Sequence, residues 1–209
     1  MRTKDEVTQK IADLRGEIQK AKNIERTDAQ DLALGFAERI AKVSPTIFLL
    51  TEHGAAMEAH TVCRLLLEHF FNFSALLHTE KHLDLLYEHS AGEPGRQLKK
   101  IMQEEEKLTT LTPEHARWAT QYLSHPDREN DPKTGTNWEQ IARSGETAGL
   151  YTTYKQYSFL YAHSTLASLL KVVSENEIES LHENVWTVVE LSRLLLRTKL
   201  INSANQAKS

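Results

Sequence analysis

The segment Ala55–Leu77 is apolar on nearly every helical bearing except one stripe, His60, Arg64, Glu68 and Asn72. Four-residue spacing stacks those side chains on one face of a helix, drifting about 40° per step. Leu66, Leu67, Phe70, Phe71 and Leu76 fill much of the remaining circumference. A helix apolar all round belongs inside protein. Burying a guanidinium and a carboxylate is costly unless they are paired and hydrogen-bonded. Other elements must therefore surround this helix, and Arg64 and Glu68 must find polar partners.

The surrounding sequence predicts more helices and no sheet. Val7, Ile11, Leu14 and Ile18 form a heptad-like seam over residues 3–22, a face that suits the body of the protein or a second chain. Thr27-Asp28 caps a helix through about Lys42 with Leu32, Leu34, Phe36 and Ile40 inward, and Ser44-Pro45 reads as the cap and first residue of the next. Gly54 kinks or divides that segment. Further helices are expected over 81–90, 96–106, 112–122, 138–143, 147–174 and 177–202, with the Pro- and Asn-rich stretch 125–137 as a loop. Leu191, Leu194 and Leu195 give the last helix an amphipathic face. No segment alternates apolar and polar residues as a half-buried strand would. The expectation is an all-α multi-helix bundle with 55–77 at its centre, residues 1–24 as an amphipathic oligomerisation element and 25–203 as one domain.

Composition narrows the functional classes. The 209 residues carry a net charge of −4, which argues against a dedicated binder of nucleic-acid backbone while leaving room for a local basic pocket. No DNA-binding motif is present. One cysteine, Cys63, rules out an intrachain disulfide framework and suits a reducing cytoplasm. The opening Met1-Arg-Thr-Lys-Asp-Glu is polar, so no signal peptide is expected, and no apolar run approaches the roughly 20 residues that span a bilayer. Despite 10 histidines, no His-Glu-x-x-His occurs, and the Glu-x-x-His spacing appears once, at Glu179 and His182. No cofactor-binding motif is found. His78, His82 and His89 share one helix side and read as exposed histidines.

The second informative stretch is Gly149–Leu170. Apolar neighbours one turn away direct His163 inward, while Tyr154, Tyr157 and Tyr161 bring three phenols to adjoining bearings. The geometry predicts a composite site in which His163 faces Arg64 and Glu68, with Tyr157 or Tyr161 nearby. Histidine exchanges protons near neutral pH, and arginine stabilises developing anionic charge. The bland alternative is equally concrete. Arg64 and Glu68, four residues apart, form an intrahelical ion pair that fixes register, and His163 is a neutral core residue among interface tyrosines.

The run Cys63-Arg64-Leu-Leu-Leu-Glu68, then Trp138-x-x-Ile141-Ala142, then Tyr154-x-x-Tyr157-x-x-Leu160-x-x-His163-Ser164, resembles a bacterial helical family known as domain of unknown function five-six-seven-seven, over about residues 30–200. The resemblance implies a helical fold and supports grouping Arg64, Glu68 and His163 without naming a reaction. A looser likeness is to HEPN domains, dimerising helical bundles that include metal-independent ribonucleases of toxin and defence systems, through Arg64-Leu-Leu-Leu-Glu-His69. Five residues set Arg64 and His69 about 140° apart on a regular helix, so they converge only on a distorted one. Two functions follow. One is a defence- or toxin-like ribonuclease or phosphoryl-transfer hydrolase, acting on RNA or a nucleotide, with Arg64, Glu68 and His163 catalytic. In it His60, His69, Asn72, Trp138, Tyr154, Tyr157 and Tyr161 bind the substrate. The other is a helical scaffolding or interaction module, a homodimer in either case, whose polar cluster is structural.

Overall fold

The structure is a computed structural model that describes residues 4–86, 137–162 and 171–206. Expectations for 96–106, 112–122, His89, His163 and nearly all of 125–137 lie outside these residues. The chain divides into two compact units, one of Met1–Glu80 with Trp138–Ser209 and one of Lys81–Asn137. The described residues are mainly helical, with no strand among them, the all-α architecture that the periodicity predicts. All elements named here belong to the first unit.

Helix α1 (Lys4–Lys22) buries Val7, Ile11, Leu14 and Ile18. That seam packs against α2 (Asp28–Glu52) and α6 (Glu175–Leu195) of the same chain, so the face read as suited to a second chain is covered from within. Lys10 of α1 reaches Glu190 of α6 at 3.2 Å, and Arg193 holds the same carboxylate at 2.7 Å. These hydrogen bonds, Arg193 first, bring the Glu190 carboxyl down to about 2.

Helix α2 starts as Thr27 predicts, through a capping box with Gln30. It does not stop near Lys42. Pro45 lies inside one continuous helix instead of opening a new one. A proline removes the donor to the carbonyl four residues back, here that of Ala41. Arg15 of α1 supplies a substitute, donating from Nη2 to the Ala41 oxygen at 3.3 Å. Leu32, expected inward, is 37% exposed. Gly54, at φ 73°, divides α2 from α3 in a left-handed conformation that glycine adopts without a Cβ penalty.

Helix α3 (Ala56–His78) matches the striped segment almost residue for residue, and Leu66, Leu67, Phe70, Phe71 and Phe73 are fully buried. It packs on α2, on α6, on α4 (Trp138–Ser144) and on the Tyr151–Ala162 segment. It ends at His78, where Thr79 turns extended, so His78 and His82 do not share a helix. Nor is His78 an exposed histidine: its side chain is largely covered, Nδ1 donates to the Ser74 carbonyl at 2.8 Å, and Nε2 lies 3.5 Å from Glu146.

Where α4 ends, Gly145 lies directly against α3. Ser74 Oγ donates to its carbonyl at 2.6 Å, and a Cβ there would sit 2.8 Å from the Ala75 backbone nitrogen. Backbone cannot yield as a flexible side chain does, so Gly145→Ala is expected to destabilise the fold by about 1–3 kcal/mol. A urea midpoint equal to that of the wild type would show that the two helices separate freely.

The expected single helix over 147–174 is broken. Ala148–Leu150 is a 3₁₀ turn, α5 spans Tyr151–Tyr157, and Ser158–Ala162 winds as a π-turn. Residues 171–174 are not helical, because Ser174 is the N-cap of α6 and forms a capping box with Glu177. The Ser-x-x-Glu signature for that start is in the sequence. A second π segment, Leu196–Ile201, follows α6 and leads to α7 (Asn202–Gln206).

Candidate functional site

The polar stripe of α3 meets the α5 segment and its π-turn. Arg64 donates from Nε to Ser158 Oγ at 2.9 Å and from Nη2 to the Tyr154 hydroxyl at 3.3 Å. The same Nη2 lies 2.7 Å from Glu68 Oε1, and the Tyr154 hydroxyl donates to that oxygen at 3.1 Å. Arg64, Tyr154 and Glu68 thus close a hydrogen-bonded ring, with the guanidinium 5.4 Å from the Tyr154 ring centre. The side chains are 28% exposed for Arg64 and 14% for Glu68. Burial pushes the Glu68 carboxyl above its usual range, against the pull of Arg64 and Tyr154. Burial also raises the Tyr154 phenol.

One turn earlier, His60 faces a different group. Its ring stacks on Tyr161 with centres 4.0 Å apart and meets Tyr157 edge-on at 5.1 Å. Nδ1 donates to the Ala56 carbonyl at 2.7 Å. The phenols beside it are held by α6 and its cap. Tyr161 donates to Glu177 at 2.6 Å, and Asn184 donates to Tyr157 at 2.7 Å. Burial drives both phenols far up. Glu177 is held far below the carboxylate range by Lys171, 2.6 Å away, then by the Ser174 backbone and Tyr161.

The π-turn serves both groups. It presents Ser158 to Arg64 and Tyr161 to His60, and Thr61 of α3 donates to the Tyr161 carbonyl at 3.1 Å. Such turns widen the helix and are frequent at functional sites. Beside it lies a cleft of about 670 Å³, reaching from His60, Tyr157 and Tyr161 to Glu179 and Glu183 of α6.

The remaining predicted residues divide. Trp138 packs 5.9 Å from Tyr154, at the edge of the Arg64 cluster. Asn72 donates to the Glu68 backbone carbonyl at 3.1 Å. His69 is turned the other way, its ring 5.9 Å from Phe36 of α2, which is the divergence that helical geometry dictates. His163 lies outside the described residues, so the distance from it to Arg64 is not part of this geometry. Ser158, Glu177 and Asn184 were not foreseen. Ser158 could have been, because it lies one helical turn beyond Tyr154.

Burial lowers the pKa of His60, and of His182, which stacks on Phe48 at 4.4 Å and bonds Thr51 at 3.1 Å. Lys171 depresses His60 further, while the Ala56 backbone and Glu177 act against burial. A histidine whose folded pKa lies below the unfolded 6.5 stabilises fully above 6.5 and loses that contribution as pH falls towards the folded value. Glu68, raised, acts in the opposite sense nearer its ordinary 4.5. Stability should therefore fall between pH 7 and 5.5, and fall less in His60→Gln. Denaturant midpoints with the same pH slope in both proteins would contradict a neutral buried His60.

Among the described residues, no group of His, Cys, Asp and Glu side chains is arranged to hold a metal ion. No described helix is long and apolar enough to cross a membrane. The model of a family of unknown function, DUF5677, matches residues 30–180. No curated protein and no solved structure matches the chain.

Proposed function

The chain belongs to the family of unknown function DUF5677, and from its own geometry we propose that it acts as a helical scaffolding or interaction module whose Arg64 cluster is structural. The observation behind this reading is the commitment of Arg64. Its Nε and Nη2 are engaged by Ser158, Tyr154 and Glu68, and Glu68 receives Tyr154 as well as Arg64. A guanidinium so neutralised and hydrogen-bonded locks α3 to the π-turn, and it has little capacity left to bind a phosphate.

Pairing of two copies fits a module of this kind. The α1 seam is occupied within the chain, and α6 keeps an apolar pair outward, with Leu191 and Leu194 37% and 40% exposed. Light scattering at micromolar concentration should give about twice 23.9 kDa. A mass of one chain, unchanged on concentration, would oppose it. A cytoplasmic setting suits the single buried Cys63, whose thiol burial pushes up and keeps unreactive.

One observation favours the hydrolase. Arg64 is 28% exposed and therefore reachable. In that reading Arg64 holds an RNA phosphate and His163 moves the proton. The Arg64–His69 spelling of HEPN nucleases has less to offer, since His69 is directed to Phe36. Incubation with a labelled single-stranded RNA separates the two readings. The module leaves it intact in the wild type. Cleavage that disappears in Arg64→Lys and in His163→Ala, with both variants folded, would replace the module by the enzyme.

A further inference from the structure

The turn that ends α4 calls for glycine at two consecutive positions and has it at one. Glu146 N donates to the Arg143 carbonyl at 3.1 Å and Thr147 N to the Ala142 carbonyl at 2.8 Å. These are the paired bonds of a Schellman cap, whose left-handed residue is usually glycine. Here that residue is Glu146, at φ 57°. The glycine stands one place earlier, at 145, where its missing Cβ lets the turn press on Ser74 and Ala75. A residue with a Cβ is strained in the left-handed region, so a glutamate held there points to a task for its side chain.

That side chain meets His78, the last residue of α3, with Oε2 3.5 Å from Nε2. The imidazole is only 10% exposed. Its other nitrogen, Nδ1, lies 2.8 Å from the Ser74 carbonyl and must carry a proton to bond it. Both ring nitrogens therefore face oxygens that can only accept. A neutral histidine has one N–H and turns a lone pair towards the carboxylate, whereas the imidazolium donates to both. The C-terminal end of α3 also favours a cation. Among the described residues, Glu146 is the one charged group in contact with His78 from another element, and Ser74 is its partner within α3.

We propose that His78 and Glu146 form a proton-operated latch between α3 and α4, closed when His78 is the imidazolium and loosened when it is neutral. The strain at Glu146 favours opening once its carboxylate has no donor. What the latch seats is α4, whose other end sets Trp138 5.9 Å from Tyr154. The latch is independent of whether the Arg64 cluster is structural or catalytic.

Amide exchange of the full chain, read as protection factors at pH 5.5 and 7.5, tests it. Protection of the Glu146 and Thr147 amides, relative to those of α1, should rise about threefold at the lower pH, the scale of a partly exposed ion pair. The rise should vanish in Glu146→Gln and in His78→Gln. Glu146→Gly and Glu146→Ala both lose the carboxylate, but only the first relieves the strain. It should leave Thr147 about fivefold better protected than the second at either pH. Equal relative protection at the two pH values in the wild type would overturn the proposal. So would a rise that persists in Glu146→Gln, or equal protection in the glycine and alanine variants.

Discussion

Phe70→Ala should destabilise the protein by about 3–5 kcal/mol, because it removes a fully buried ring from the helix on which α2, α6, α4 and the Tyr151–Ala162 segment pack. Phe70 lies 6.3 Å from Phe73, on a helix that touches α2, α6, α4 and the π-turn, so the neighbours cannot all relax into the space it leaves. A folded domain of this size has about 5–15 kcal/mol in hand. The loss is therefore a large shift in urea midpoint at unchanged slope. A midpoint near that of the wild type would mean that α3 is not the core.

The second large effect is expected for Arg64→Ala. It leaves Glu68 largely covered, with the Tyr154 hydroxyl as its remaining partner, and deprives Ser158 of its donor. Breaking one side of a fully buried ion pair costs about 3–5 kcal/mol. With Arg64 28% exposed, water can reach the orphaned groups, so about 2–3 kcal/mol is the expectation here. Arg64→Lys should recover only part of this, because an ammonium cannot serve Ser158, Tyr154 and Glu68 in one plane as the guanidinium does. Thermal and urea unfolding of the two variants measure both numbers. A stability loss below about 0.5 kcal/mol for Arg64→Ala would place the pair among ordinary surface ion pairs.

What could be read from the sequence was whatever local pattern decides. The limits of α3 followed from its apolar circumference and from Gly54, and the start of α2 followed from the Thr27 cap. Local pattern reads Pro45 as a helix start, because its tolerance inside α2 is a tertiary fact. Only the packed helices bring Arg15 to the Ala41 carbonyl. The α1 seam announced that Val7, Ile11, Leu14 and Ile18 need a partner, but periodicity cannot tell a partner in the same chain from one in another. Here α2 and α6 supply it. At the site, helical spacing separated His69 from Arg64, but the phenol bonded to Glu68 is Tyr154, while Tyr157 and Tyr161, the expected neighbours, bond Asn184 and Glu177. It could not foresee the π-turn, whose widened backbone aims Ser158 and Tyr161 at two different residues of α3. Glu177 was hidden for another reason. It caps its own helix and binds Tyr161 at once, and only the first role leaves a local signature.

The structural role assigned to Arg64, Glu68 and Tyr154 is tested most directly by a double-mutant cycle of Arg64→Ala and Glu68→Gln, read by denaturant unfolding. If the ring is a unit that locks α3 to the π-turn, the double variant is more stable than the two single losses imply, with a coupling of about 1–3 kcal/mol. Additive losses, within about 0.5 kcal/mol, would contradict it and show that Arg64 and Glu68 are held there for something other than each other.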